Sequence, residues 1–168
     1  VARSPCDRQA VEADKRGRIT VDDGYKTEND DVYAVGDVIG FPALASTSMD
    51  QGRVAACRMY GEAAESVPEL FPFGIYSIPE ISMVGPTEAQ LTDKAIPFES
   101  GVAQYKEIAK SQLLGDTAGL LKLLIHQDTR KLLGVHAIGV GATELIHIGQ
   151  AVIAFGGTLD YFIETVFN

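Results

Sequence analysis

The chain has 168 residues, 46% of them hydrophobic and 22% charged, and its 14 Lys and Arg against 23 Asp and Glu give a formal charge of -9. This balance excludes an intrinsically disordered tract, and the acidic excess argues against a nucleic-acid partner or an anionic membrane surface. No apolar run approaches the roughly 20 residues of a membrane-spanning helix, and Arg3, Asp7 and Arg8 interrupt any leader-like opening.

Arg18 to Asp22 alternates apolar and polar residues between Gly17 and Asp23-Gly24, which predicts a short strand ended by a turn. A threonine-led turn at Thr27 then precedes the apolar run Val32 to Val35, predicted as a buried strand, which stops at Gly36 and Asp37. Gly36 removes a side chain where the backbone must pass close to a ligand. Asp37, at the strand's carboxyl end, can accept hydrogen bonds from sugar or sugar-alcohol hydroxyls. Beyond Leu44 and Ala45, either Ser46 or Thr47 is the expected N-cap of a helix reaching about Tyr60, with Asp50 near its first turn and an apolar stripe starting at Val54 and Ala55. The free N–H groups of such a helix start favour a ligand oxygen that becomes negative, so the segment points to a polyhydroxylated cofactor. Cys57 sits in the apolar part of this helix and Cys6 far from it, outside any redox-pair spacing; a buried free thiol in a reducing, cytoplasmic setting is expected.

The stretch from Gly61 to Phe73 holds Pro68, Pro72 and small and acidic residues, the composition of a connector, and the division into two domains is placed there, 1–66 and 67–168. Gly74 to Ser77 and Glu80 to Val84 read as strands, and Pro86-Thr87-Glu88 opens a short helix to about Lys94 with the proline just inside its start. Phe98 to Tyr105 is another strand, and Leu120 to His126 pairs with Leu132 to Ile138 across residues 127–131 as a hairpin. The result is a mainly antiparallel sheet with helices, an α+β domain. From Ala142 to about Phe155 a helix carries two apolar stripes. Leu145, Ile146, Gly149, Val152 and Ile153 form one, while Ile148, Ala151 and Phe155 form the other and need a cover. A second protomer or the following helix, predicted over Thr158 to Phe167, can supply it.

Three further features read as structural. Gly139-Val140-Gly141 before Glu144 lacks the third glycine and the distant acid of a dinucleotide fingerprint, and is expected to be a tight turn. Glu144 and His147 lie one helical turn apart, but no second copy exists and His126 and His136 fall on paired strands, so no metal site is expected. Lys106, Glu107 and Lys110 read as a solvated surface.

Thr27 to Asp37, followed by Leu44-Ala45-Ser46 and the helix, resembles the second FAD motif of the flavoprotein pyridine nucleotide-disulfide oxidoreductases. Gly74 to Ser82 and Val84 to Glu88 resemble the entry to that family's C-terminal interface (dimerisation) domain, and the resemblance runs from about Glu12 to Asn168. Within the family, Ile78 to Ser82, Glu144 to Ala151 and Thr165 to Asn168 are most similar to the transhydrogenase branch. The resemblance implies that residues 1–66 are the tail of an α/β FAD-binding domain and 67–168 the dimerisation domain of a homodimer. It implies FAD contacts at Gly36, Asp37, Leu44, Ala45 and Ser46, and hydride exchange between NADPH and NAD. No Gly-x-Gly-x-x-Gly fingerprint is present, so the expectation is a C-terminal fragment, inactive and without FAD by itself, with no catalytic residue of its own. Glutathione reductase and dihydrolipoyl dehydrogenase carry a His-Pro-Thr segment; alignment at Thr165 to Asn168 puts the end of this chain one residue before that histidine, a position expected to be tyrosine in transhydrogenases. The alternatives are a fragment of a dihydrolipoyl dehydrogenase or other disulfide reductase, and an isolated dimerisation module without catalysis.

Overall fold

The structure is a computed structural model that describes residues 11–64 and 70–167. The segments 1–9, Cys6, Pro68 and the expected 66/67 division lie outside the described residues. The chain divides into two compact units, Val1–Glu69 and Leu70–Asn168.

The first unit is built on one helix, α1 (Ala45–Met59), and the turns that precede it. Val54 and Ala55 on α1 are buried with Tyr25, and Val21, Tyr33, Val35 and Ile39 pack around them. The two strands expected here do not form. Residues 18–22 contribute a single bridge, Ile19 to Ala13, and the 32–35 run contributes one, Tyr33 to Lys26. The pairing of Lys26 with Tyr33 consists of two bonds that flank it, Thr27 N–H to the Val32 carbonyl and Ala34 N–H to the Tyr25 carbonyl. Tyr25, at φ 67, turns the chain away and ends the ladder. Gly36–Ile39 is then a short 3-10 helix, so Asp37 lies in a helical turn rather than at a strand end.

The second unit is a five-stranded, wholly antiparallel sheet. Its strands are β1 (Phe73–Ile75), β2 (Ile81–Val84), β3 (Phe98–Gln104), β4 (Leu120–His126) and β5 (Leu132–Ile138), in the order β1-β2-β5-β4-β3. The expected hairpin is present with Leu123 opposite Val135, and β3 pairs along its whole length with β4, from Phe98 opposite His126 to Gln104 opposite Leu120. Helix α2 (Glu88–Asp93) starts two residues later than the sequence suggests. Thr87 is its N-cap, in a reciprocal box with Gln90, which leaves Pro86 before the cap instead of inside the helix. Helix α3 (Ala109–Leu114) follows β3.

Helix α4 (Ala142–Ala154) covers the sheet. Ile146 and Val152 enter a core with Val84, Ile125, Leu132 and Val135. Gly149 brings the helix axis close, because a Cβ there would lie 2.5 Å from Val135 Cγ2. Leu145, assigned to the same stripe, is instead 41% exposed. The last helix, α5 (Asp160–Glu164), is much shorter than expected. Ile148, Ala151 and Phe155 remain uncovered by it and, with His147, Gly157 and Tyr161, line an apolar groove of about 580 Å³. Among the described residues no helix is long and apolar enough to cross a membrane.

Candidate functional site

The segment from Gly36 to Ser46 folds as a 3-10 turn, a loop and the first turn of α1. Gly36 is buried at φ 75, a conformation that a residue with a Cβ adopts only with strain, and an added Cβ would meet Ser48 Oγ at 3.1 Å. The close approach that requires glycine is therefore to α1 itself. Its N–H donates to Gln51 Oε1 at 2.7 Å. Asp37 is exposed, and its carbonyl accepts the Gly40 N–H at 3.1 Å.

The helix start differs from the expectation. Leu44, extended at φ -120 and ψ 139, occupies the N-cap position, and no side chain caps the helix. Ser46 and Thr47 lie within the first turn, where Ser46 is exposed and Thr47 is 6% exposed. Asp50 is not in the first turn; it pairs with Arg53 at 2.8 Å. The first amide to close a bond is Ser48 N–H, onto the Leu44 carbonyl at 2.8 Å, and the Ser48 hydroxyl donates to the same oxygen at 2.8 Å. The N–H groups of Ala45, Ser46 and Thr47 thus open the helix without an acceptor from a capping side chain, and they carry its positive end. Ala45 and Ser46 are exposed and small, Leu44 is half-buried, and the Gly36–Asp37 turn abuts the same helix through Ser48 and Gln51. This arrangement fits a ligand with a hydroxylated chain and an oxygen that gains negative charge. Thr27 faces inward: its hydroxyl donates to the Val32 carbonyl at 2.9 Å and accepts the Asn29 N–H at 3.1 Å, closing the turn.

In the second unit, residues 139–143 form the structural turn the sequence suggests, held by a residue the sequence reading passed over. Glu80, just before β2, accepts the Thr143 hydroxyl at 2.6 Å, the Thr143 N–H at 3.1 Å and the Gly141 N–H at 3.3 Å. The Thr143 hydroxyl above all, then these amides, holds its carboxyl below the usual range. Tyr105 donates to the Val140 carbonyl at 3.1 Å. The histidines have local roles: His136 faces the Pro86 carbonyl at 3.1 Å, His126 Nδ1 accepts the Asp128 N–H at 3.2 Å, and His147 bonds Gln150 at 2.9 Å. Burial holds His136 below the ordinary imidazole value. Cys57 is half-buried rather than buried. Among the described residues no His, Cys, Asp and Glu cluster could hold a metal ion.

Residues 71–168 match the sequence pattern of the pyridine nucleotide-disulphide oxidoreductase dimerisation domain. The chain belongs to the pyridine nucleotide-disulphide oxidoreductase family. Residues 2–52 of this oxidoreductase-family chain match a second pattern, that of the pyridine nucleotide-disulphide oxidoreductases themselves. The chain is 56% identical over 158 residues to the soluble pyridine nucleotide transhydrogenase of Mycobacterium bovis (strain BCG / Pasteur 1173P2), covering 94% of this chain and 34% of that protein. It is 48% identical over 162 residues to the soluble pyridine nucleotide transhydrogenase of Colwellia psychrerythraea, covering 94% and 35%. It therefore spans about a third of the length of these curated relatives. Among solved structures, the HOCl-induced flavoprotein disulfide reductase RclA from Escherichia coli superposes with a TM-score of 0.86 at 26% identity, over 94% of this chain and 37% of that one. LpdA from Mycobacterium tuberculosis superposes at 0.83 with 21% identity, over 98% and 36%, a likeness of fold alone.

Proposed function

We propose that this chain acts as part of a longer FAD-dependent oxidoreductase that transfers hydride between NADPH and NAD in the cytoplasm. The observation that carries the reaction is the 56% identity over 94% of the chain to a soluble pyridine nucleotide transhydrogenase. The uncapped start of α1 supports the flavin placement. FAD, when bound, supplies the two-electron relay between one nucleotide and the next. In this reading the chain's own residues hold and tune that group. Asp37 accepts hydrogen bonds from ribityl hydroxyls, Leu44, Ala45 and Ser46 lie along the pyrimidine edge, and their N–H groups with the positive helix end stabilise negative charge on its oxygen. Gly36 keeps the turn against α1, and no catalytic residue is assigned within this chain.

Residues of the second unit form the homodimer interface in this proposal. The uncovered groove of Ile148, Ala151, Phe155 and Tyr161 supports it, since an apolar face of that kind is stabilised by burial against another surface. By itself the chain is a dimerisation module that does not retain FAD. Stoichiometric yellow flavin in the purified 168-residue chain would contradict that part.

The deciding experiment reduces the full-length protein carrying this chain with NADPH under anaerobic conditions, then adds NAD⁺ with no dithiol or disulfide present. Rapid flavin reoxidation with matching NADH formation is the expected result. A second reading, a dihydrolipoyl dehydrogenase or other disulfide reductase, draws on the 26% identity to a protein described as a flavoprotein disulfide reductase. It replaces the first if reoxidation fails and turnover returns only with lipoamide or glutathione.

A further inference from the structure

Gln51 is 4% exposed, on the same stripe of α1 as Val54 and Ala55. A buried amide on an apolar stripe costs stability unless it is bonded, and a leucine would serve the packing as well. Its bond goes to the backbone of a turn fifteen residues earlier, where Gln51 Oε1 accepts the Gly36 N–H at 2.7 Å. Ser48, one helical turn before Gln51, touches the same glycine: an added Cβ would lie 3.1 Å from its Oγ and 3.2 Å from its Cβ. Ser48 is itself fixed by its bond to the Leu44 carbonyl. The turn that presents Asp37 and the helix start that presents Leu44, Ala45 and Ser46 are thus joined through two side chains of α1.

We infer that Gln51 is a positioning residue of the proposed flavin site, acting through the Gly36–Asp37 turn to set Asp37 relative to the start of α1. This rests on the flavin reading above. Without the amide oxygen, the Gly36 N–H has no acceptor from α1, and of its ties to the helix the turn keeps packing against Ser48. Its own Gly40-to-Asp37 bond and the Ile19 N–H donated to the Val38 carbonyl at 2.9 Å hold it only within the turn and to residue 19. Asp37 is then held less firmly relative to the helix start, and a ligand spanning both must order the turn further as it binds.

The test compares Gln51→Leu and Gln51→Glu in the full-length protein, following Gly36 amide exchange by mass spectrometry, flavin affinity and the flavin redox potential. Gln51→Leu is expected to speed Gly36 exchange, raise the flavin Kd about tenfold, the scale of one lost hydrogen bond, and shift the potential. Gln51→Glu keeps an acceptor for the Gly36 N–H and is expected to restore slow exchange and flavin affinity. A lowered melting temperature with Kd and potential unchanged in Gln51→Leu marks a purely structural side chain and overturns the inference. Unchanged Gly36 exchange in that variant overturns it as well. Wild-type protein without flavin sinks the proposed function and this inference together, whereas flavin-replete wild type with an indifferent Gln51→Leu sinks this inference alone.

Discussion

The two units satisfy their backbones by different means. In the second, five antiparallel strands bond to one another, and apolar side chains of β2, β4, β5 and α4 close the core. In the first, polar side chains do much of that work. Asp14 accepts the Arg16 and Arg18 N–H groups, Asp22 those of Gly24 and Lys26, Thr27 that of Asn29, and Gln51 that of Gly36. A ladder spreads its stability over many residues, while a turn held by one oxygen depends on that oxygen. The second unit is therefore most sensitive to loss of apolar volume and the first to loss of single polar atoms.

The sharpest break of this contrast is Ile146→Ala. Ile146 is 1% exposed in the core of the second unit, and truncation removes buried methyls and leaves a cavity. A loss of about 3 kcal/mol is expected, read as a lower denaturant midpoint with tryptophan-free probes such as far-UV circular dichroism. A loss below about 1 kcal/mol would mean that α4 settles into the space, contrary to close packing.

Glu80→Gln tests the exception, a polar device in the apolar unit. Since the folded carboxyl lies below its ordinary value of 4.5, its contribution is present above that pH and is lost as pH falls through the lower folded value. The variant is expected to melt at lower temperature at pH 7, with its deficit shrinking below pH 4.5. A deficit that is constant with pH would show that shape, rather than charge at the start of α4, is what Glu80 supplies.

How much of this was legible follows the same division. The hairpin of β4 and β5 is written in two apolar runs around a polar turn, and the sheet can be read from local pattern. Val32 to Val35 looks equally strand-like, yet an apolar run becomes a strand only with neighbours along its length, and here residues 25–27 meet it in one isolated bridge. Ser46 and Thr47 have the chemistry of caps, but the extended backbone at Leu44 places the helix start ahead of them. Glu80 meets Thr143 across 63 positions and Gln51 meets Gly36 across 15, separations that no local motif records. The one available signal was a glutamine on the apolar stripe of α1. The local pattern at Gly36, Asp37 and the helix start indicates a polyhydroxylated ligand, its assignment to flavin rests on the family motif, and the structure adds the bond from Gly36 to Gln51.

Thr27→Val probes the polar side of the contrast at smaller scale. Thr27 is 7% exposed and its hydroxyl bonds the Asn29 and Val32 carbonyls and the Asn29 N–H. Valine keeps the shape and leaves those groups without the hydroxyl, a loss of about 1–2 kcal/mol in the first unit. Faster amide exchange at Asn29 is the local readout, and unchanged exchange would remove Thr27 from the groups that hold this turn.

The smallest effect belongs to the Arg130–Asp160 pair, whose side chains are 50% and 47% exposed. Water and salt screen such a pair, so Arg130→Ala is expected to cost below about 1 kcal/mol, with the difference fading in high salt. The backbone is fastened beside it in any case: Leu159 N–H donates to the Arg130 carbonyl at 2.9 Å and Leu132 N–H to the Gly157 carbonyl at 3.0 Å. A salt-independent loss above about 2 kcal/mol would reverse the ranking, because it would make one polar side chain as decisive in the second unit as Thr27 is in the first.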